Sequence, residues 1–182
     1  LLDANSIPIH WKSLTNMLPR SQETNDRGYE REELQKMLDV SKSLVDKVII
    51  TLFSSAGFRV GAWDSFTWED VSILRHSDGS LKGGALLVYR GDPEQYQTHF
   101  TPEAARYLEE YKEYWKSKTG RYPSKNDPLL RSEKIPVTKR LNSLGIKKRL
   151  DKLTRMAGVR SSYISEKKRY EVPLDHGFRK YF

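Results

Sequence analysis

The residue types near the carboxyl end of the sequence are suited to phosphate chemistry. His176 and Arg179 stand three positions apart, so on a helix their side chains lie on the same face. A histidine can hold or transfer a proton near neutral pH, and an arginine binds anionic oxygens through a planar fork of donors. The pair could therefore hold a phosphate, although a packed histidine beside a surface arginine has the same spacing.

A second candidate for phosphate binding is Arg59, in the run Ala56-Gly57-Phe58-Arg59-Val60-Gly61. An apolar helical pattern ends just before it, and two glycines bracket it. A cation at a helix end is well placed to meet a phosphate. A surface arginine at a helix junction is the simpler alternative when this residue is taken alone.

Helical periodicity predicts two helices in the first part of the chain. The first spans Tyr29 to Val40, and the second spans Ser43 to Ala56 with a buried apolar stripe. Gly57 is the expected stop of the second helix. Three strand-like runs follow, separated by turn residues: Val71 to Leu74, Ala85 to Tyr89 and Tyr96 to Phe100.

The second half is predicted to be mainly helical. Thr101 and Pro102 form a strong helix start, and that helix continues to about Lys118. A basic helix is predicted from Thr138 to Ala157, and a small hairpin from Tyr163 to Val172 precedes the last helix. Because helices and strands are segregated, the predicted class is α+β, mainly α: a helical domain with a small three-stranded antiparallel sheet.

Composition narrows the class of protein. The 182 residues fit one domain or a domain with an appendage, and the absence of cysteine excludes disulfides and thiolate metal sites. The net charge of +8 favours a polyanionic partner, most simply nucleic acid. No apolar run approaches the ~20 residues of a membrane span, and no signal peptide opens the chain. We therefore expect an intracellular protein without a metal site.

These features together resemble the carboxyl-terminal catalytic domain of tyrosine recombinases, the phage-integrase family. The ordered features are Ala-Gly-Phe-Arg-Val-Gly after an apolar helix, a small sheet, and a distant His-Gly-Phe-Arg. The archaeal branch is most similar, because the Thr-Pro-Glu-Ala-Ala run and the ending His-Gly-Phe-Arg-Lys-Tyr-Phe both resemble sequences of that branch. The resemblance covers residues 29–182, and residues 1–28 look like the linker or arm that leads from an amino-terminal core-binding domain.

The resemblance implies a site-specific DNA recombinase that cuts and rejoins DNA through a 3′-phosphotyrosyl intermediate, without metal or cofactor. Arg59 and Arg179 match the two arginines that clamp the scissile phosphate in the family. His176 matches the histidine of the His-x-x-Arg pair, which contacts the phosphate and assists proton transfer. The implied partners are double-stranded DNA and further copies of the protein, and the implied location is the cytoplasm, with the nucleoid.

The sequence departs from the family pattern in three places. Ala62 stands where the family has an acidic residue shortly after the first arginine. The general-acid lysine expected between the second and third strands is replaced by Arg90, which can stabilise charge but is a poor proton donor. Lys82 is a substitute candidate. The nucleophilic tyrosine normally lies tens of residues beyond His-x-x-Arg, whereas Tyr181 is only two residues past Arg179 and is predicted to be a core aromatic. We therefore expect a catalytic domain without its carboxyl-terminal segment, unable to cleave DNA alone.

The basic helix predicted over 138–157 has the densest positive charge. A solvated amphipathic helix is the alternative to a DNA-binding face. Its predicted inward residues are Leu141, Leu144, Leu150 and Leu153. The residues expected to bind DNA are Lys147, Lys148, Arg149 and Lys152 on this helix, and Lys82 outside it.

Three other functions compete with a recombinase. Arg90 and the missing tyrosine favour a non-catalytic DNA-binding relative of the integrases. A type IB topoisomerase uses related chemistry, but the archaeal-integrase-like ending argues against it. A helical scaffold that binds no DNA leaves the set of Arg59, His176 and Arg179 unexplained.

Overall fold

The computed structural model describes residues 27–133, 139–160, 163–164, 169–170 and 172–182. The predicted residue 1–28 arm therefore lies almost entirely outside the described residues. The helices are α1 (Arg31–Val40), α2 (Leu44–Ala56), α3 (Pro102–Thr119), α4 (Ser143–Met156) and α5 (His176–Tyr181). The strands are β1 (Val71–Arg75), β2 (Leu81–Val88), β3 (Tyr96–Phe100), β4 (Tyr163–Ile164) and β5 (Arg169–Tyr170), and 3₁₀ turns span Val60–Asp64 and Trp68–Asp70.

Helix α2 forms the centre of the core, as its apolar stripe predicts. Ser43 caps its start by accepting a hydrogen bond from the Val45 amide, and Gly57 ends it in the left-handed conformation at φ +61°. Phe53 is fully buried on this helix and stacks on Phe58, at 4.9 Å between ring centroids. Burial of such large side chains is the main stabilising contribution to the fold.

The antiparallel sheet has the order β1-β2-β3, so the three predicted strands are confirmed. Its inner face places Leu86 and Val88 against the helices, and both are fully buried. The Thr98 hydroxyl donates to the Ala56 carbonyl at 2.9 Å. This bond ties β3 to the end of α2, just before the segment that carries Arg59.

Helix α3 has the predicted signals at both ends. The Thr101 hydroxyl accepts from the Ala104 amide, Pro102 is the first helical residue, and Gly120 closes the helix at φ +78°. Tyr111 and Trp115 are completely buried on its inner side. Burial is the first cause of the rise in the pKa of Tyr111 to about 12.

Helix α4 begins at Ser143 and not at the predicted Thr138, which lies outside the described residues. Asn142 caps it by accepting from the Gly145 amide. The prediction that Leu144 points inward is wrong, because its side chain is 58% exposed. Ile146 takes the inward position instead and is fully buried. Leu150 and Leu153 are buried as predicted.

The last segment contains the predicted small hairpin, in which β4 pairs with β5 in antiparallel register. Helix α5 follows and ends at Tyr181. The prediction that Tyr181 is a core aromatic is wrong, because it is 41% exposed, whereas Phe178 is fully buried. Within the described part of the chain, no helix has the length and apolar character that a membrane crossing requires.

Candidate functional site

The backbone after α2 presents Arg59 to solvent. Gly57 turns the chain, Phe58 is buried in the core, and Arg59 has extended backbone at φ −76° and ψ 147° before the 3₁₀ turn. Because Phe58 faces inward, the next side chain faces outward. The Arg59 guanidinium pairs with Glu94 at 3.3 Å, and both side chains are largely exposed.

Helix α5 is too short to be stable alone, so tertiary contacts must fix its two polar side chains. Phe178 anchors it, with ring centroids 4.6 Å from Tyr29 and 5.3 Å from Phe53. The Tyr29 hydroxyl donates to the Leu174 carbonyl, and the Tyr29 amide donates to the Gly177 carbonyl. These contacts hold the start of α5 in one orientation.

Arg59, His176 and Arg179 line one open cavity of about 310 Å³, here called the cationic cavity. The structure thus brings together three residues that the sequence singled out from opposite ends of the chain. The walls consist of Arg59, Val60, Gly61, Tyr89, Lys147, Asp175, His176 and Arg179. A neighbouring cavity of about 260 Å³ shares Arg59, Tyr89 and Arg179, and adds Glu94 and Tyr96.

The charges of the two arginines also reach the adjoining tyrosine. Burial is the first cause of the raised pKa of Tyr96, while the positive charges of Arg179 and Arg59 act in the lowering direction. The cationic cavity can bind an anion at its two guanidinium groups, with the Tyr89 side chain also on its wall.

Arg90 does not line the cationic cavity, although it was expected among the catalytic residues. Its Nε donates to Asp70 at 2.5 Å, and an Nη donates to the Glu69 carbonyl. The hydrogen bond that Arg90 donates to Asp70 is the first cause of the raised pKa of Arg90. Arg90 lines a groove on the open face of the sheet with Ser72 and His99, and it is not a wall residue of the cationic cavity.

Lys82 also lies away from the cationic cavity. It is exposed near the start of β2, whereas Tyr89 follows the end of that strand. Seven residues at about 3.3 Å each separate the two positions by roughly 23 Å. Lys82 therefore cannot take the place of the general-acid lysine at this cavity.

The cations of α4 divide among three environments. Arg149 was expected on the DNA face, but its guanidinium contacts Asp46 at 2.7 Å and also pairs with Glu133. Lys148 and Lys152 are exposed beside a different groove, one that Arg149 also lines. Lys147 alone of these four residues lines the cationic cavity.

Three polar wall residues, Tyr89, Lys147 and Asp175, were not recognised from the sequence as members of this site. Lys147 was expected only as a DNA contact. Tyr89 was expected only as the end of a strand, yet it has φ +56°, which is rare for a large side chain and stores strain. The Tyr89-Arg90-Gly91 sequence at a strand end was the available signal for an unusual turn.

Metal ligands do not gather at the cationic cavity. In the residues that the structure describes, no group of three or more His, Asp or Glu side chains could hold a metal ion. The anion-binding groups found there are cations and hydroxyls.

Comparison with known proteins identifies the fold. No protein-family model and no curated protein matches the sequence. The crystal structure of XerA recombinase matches with a TM-score of 0.58 and 18% identity, over 98% of this chain and 54% of that one.

Two structures of the XerH site-specific recombinase match as well. The complex with palindromic difH substrate after cleavage has a TM-score of 0.61 at 20% identity, over 91% of this chain and 44% of that one. The complex with difH before cleavage has a TM-score of 0.57 at 20% identity, over 85% and 41%. The chain thus spans about half of the first structure and less than half of the other two. The predicted fold class is confirmed, and the described structure has the fold of a recombinase catalytic domain.

Proposed function

We propose that this chain is the catalytic domain of a tyrosine-type site-specific recombinase, of the archaeal type that its motifs resemble. The observation that carries the proposal is the convergence of Arg59, His176 and Arg179 on one open cavity. A site of this composition fits a phosphodiester of DNA. Its fold, similar to XerA and XerH, supports the same conclusion.

The roles of the three residues follow from the charge that develops during phosphoryl transfer. Attack at phosphorus spreads negative charge over the non-bridging oxygens, and two guanidinium groups placed at those oxygens stabilise it. His176 can accept the proton of the attacking hydroxyl, because a histidine changes charge near neutral pH. A covalent phosphotyrosyl intermediate keeps the bond energy, so the strand can be resealed without a cofactor.

The attacking group in this proposal is a tyrosine hydroxyl that enters the open side of the cationic cavity. Tyr96 lies in β3 and lines the neighbouring cavity, not the cationic cavity. Tyr181 is exposed on the same short helix as Arg179. We therefore assign neither of them as the nucleophile.

Double-stranded DNA is the proposed partner, and we infer that copies of the protein meet on it, at the genomic DNA of the cell. The net charge of +8 supports a polyanionic partner. Of the expected DNA contacts, the exposed Lys148 and Lys152 stay in the proposal. Arg149 is left out because two carboxylates already occupy its guanidinium.

The test is capture of a covalent protein–DNA adduct. A duplex is first selected by its affinity for the protein, then nicked beside each phosphate in turn and mixed with the longest product of the gene that contains this chain. We expect a denaturant-resistant adduct, with its yield reduced about 100-fold or more by Arg179→Ala. Arg155→Ala is the matched control, since it removes the same charge from an exposed position 67% accessible on α4.

Two outcomes would overturn the catalytic proposal. One is binding without any adduct at any nick, and the other is an adduct that Arg179→Ala leaves unchanged. Both would favour the second candidate function, a non-catalytic DNA-binding relative. One observation favours that candidate. Arg90, which stands where the family has its general-acid lysine between β2 and β3, donates its Nε hydrogen bond to Asp70.

A further inference from the structure

The cationic cavity contains a fourth positive group, Lys147. It lies on α4, and its side chain is 45% exposed, so it is open to a ligand. Its Nζ stands 3.7 Å from the Asp175 carboxylate, directly before His176 in the chain. Lys147 therefore lines the same cavity as the two arginines.

The fold explains why Lys147 points there. The Ser143 amide and hydroxyl both donate to Asp64 at 2.7 Å, which ties the start of α4 to the 3₁₀ turn that follows Arg59. Ile146 is fully buried on the inner side of α4. A residue one position later is rotated by about 100° around the helix axis, which directs Lys147 toward the cavity mouth.

Breaking a phosphodiester leaves a negative charge on the departing 5′ oxygen, and a proton donor speeds that departure. A lysine ammonium can give up its proton, whereas a guanidinium stays protonated at any working pH. Arg59 and Arg179 are therefore excluded as donors. Lys147 is the one ammonium among the wall residues of the cavity that the structure describes.

We propose that Lys147 is the general acid of this site, an inference that rests on the proposed recombinase function. The tyrosine oxygen forms a bond to phosphorus while its hydroxyl proton passes to His176. The bond from phosphorus to the 5′ oxygen breaks, and its electron pair stays on that oxygen. The Lys147 ammonium then transfers a proton there, giving a free 5′-hydroxyl, a neutral amine and a protonated imidazole. Resealing runs the same transfers in reverse. Asp175 is the positioning residue that holds the ammonium.

The experiment compares two DNA substrates with the same gene product. One has the ordinary 5′ oxygen at the cleaved bond, and the other has sulfur there, which leaves as a stable thiolate without a proton. We expect Lys147→Ala to slow adduct formation at least about 100-fold on the oxygen substrate and less than about threefold on the sulfur substrate. Lys147→Arg keeps the charge but should show the same defect, because arginine does not release its proton.

Lys36→Ala is the matched control. It removes the same charge from an exposed position on α1, outside the cationic cavity, and it should react like the wild type on both substrates. Thermal melting of each variant, expected to be unchanged, separates a chemical defect from misfolding.

The outcomes are distinguishable. If wild type forms an adduct and Lys147→Ala reacts equally fast on the oxygen substrate, the acid role is refuted and the recombinase function stands. A defect of equal size on both substrates also refutes it, because it would mean that Lys147 only binds DNA. If wild type forms no adduct on either substrate, the recombinase function fails and the acid role fails with it.

Discussion

Gly177 lies between the two candidate site residues of α5 and at its closest contact with the rest of the fold. A Cβ atom added there would stand 2.7 Å from Tyr29 Cε2 and 2.9 Å from Val172 Cγ1. The Tyr29 ring cannot move aside without breaking two stabilising contacts. It packs on Phe178, and its hydroxyl donates to the Leu174 carbonyl at 2.9 Å. The substitution Gly177→Ala must therefore displace α5.

Two opposing effects determine how much Gly177→Ala changes the free energy of unfolding. Alanine favours a helix over glycine by about 1 kcal/mol, which would stabilise α5. Overpacking a filled site costs about 1–3 kcal/mol, and it is the larger effect because Tyr29 and Val172 are both held in place. The expected net result is a loss of roughly 0–2 kcal/mol in the free energy of unfolding. For a chain of this length that lowers Tm by at most about 8 °C, at about 2–4 °C per kcal/mol.

The assay is thermal melting combined with DNA binding by fluorescence anisotropy. Because α5 carries His176 and Arg179, its displacement should also weaken DNA binding about tenfold at low salt. Gly61→Ala is the matched control: it lies beside Arg59 on the cavity wall, a Cβ there meets nothing within 4 Å, and it should change neither quantity. A Gly177→Ala protein with a raised Tm and unchanged affinity would refute the packing argument.

Three further predictions concern charged groups. The pKa of Asp127 is lowered to about 2, and the first cause is the hydrogen bond that Arg121 donates to its carboxylate. The stability that this carboxylate gives the fold is therefore present above about pH 4 and is lost as pH falls through 2. Asp127→Asn should therefore lower the free energy of unfolding in urea by about 1 kcal/mol at pH 7 and by clearly less at pH 2, and a constant difference at both pH values would contradict this. Arg149→Ala leaves two facing carboxylates and should cost about 2 kcal/mol in urea, whereas an unchanged stability with weakened DNA binding would restore its predicted role as a DNA contact. Glu94→Gln frees the guanidinium of Arg59 and should raise DNA affinity about 2–5-fold at low salt, an effect that shrinks in high salt; a loss of affinity would show that Glu94 supports the site.

The helices and strands with strong local signals were predicted well from the sequence. Gly57 ends α2 at the predicted position, because a left-handed residue at a helix end is a local requirement that glycine meets, and Gly120 ends α3 in the same way. The start of α4 was missed for a tertiary reason. Arg140 forms a bridge with Arg131 and donates to the Phe66 carbonyl, so the chain is extended where its sequence reads as helical.

The members of the site were predicted in part. Arg59, His176 and Arg179 could be named because their spacing within motifs is visible in the sequence. The ion pair that partly buries Arg149 could not be predicted, because its partner Asp46 is 103 residues away in the chain. The place of Lys147 in the cavity depends on how α4 docks through Asp64, a contact across 79 residues that no periodicity reveals.

If Arg59 and Arg179 hold one phosphate, NMR of their side chains should show it. The Nε–H signals of both arginines are followed while a short DNA duplex is titrated into the chain. Both signals should shift together with a single Kd, and Arg59→Ala should abolish the shift at Arg179. Shifts with different Kd values, or a shift at Arg179 that survives Arg59→Ala, would contradict a shared phosphate site.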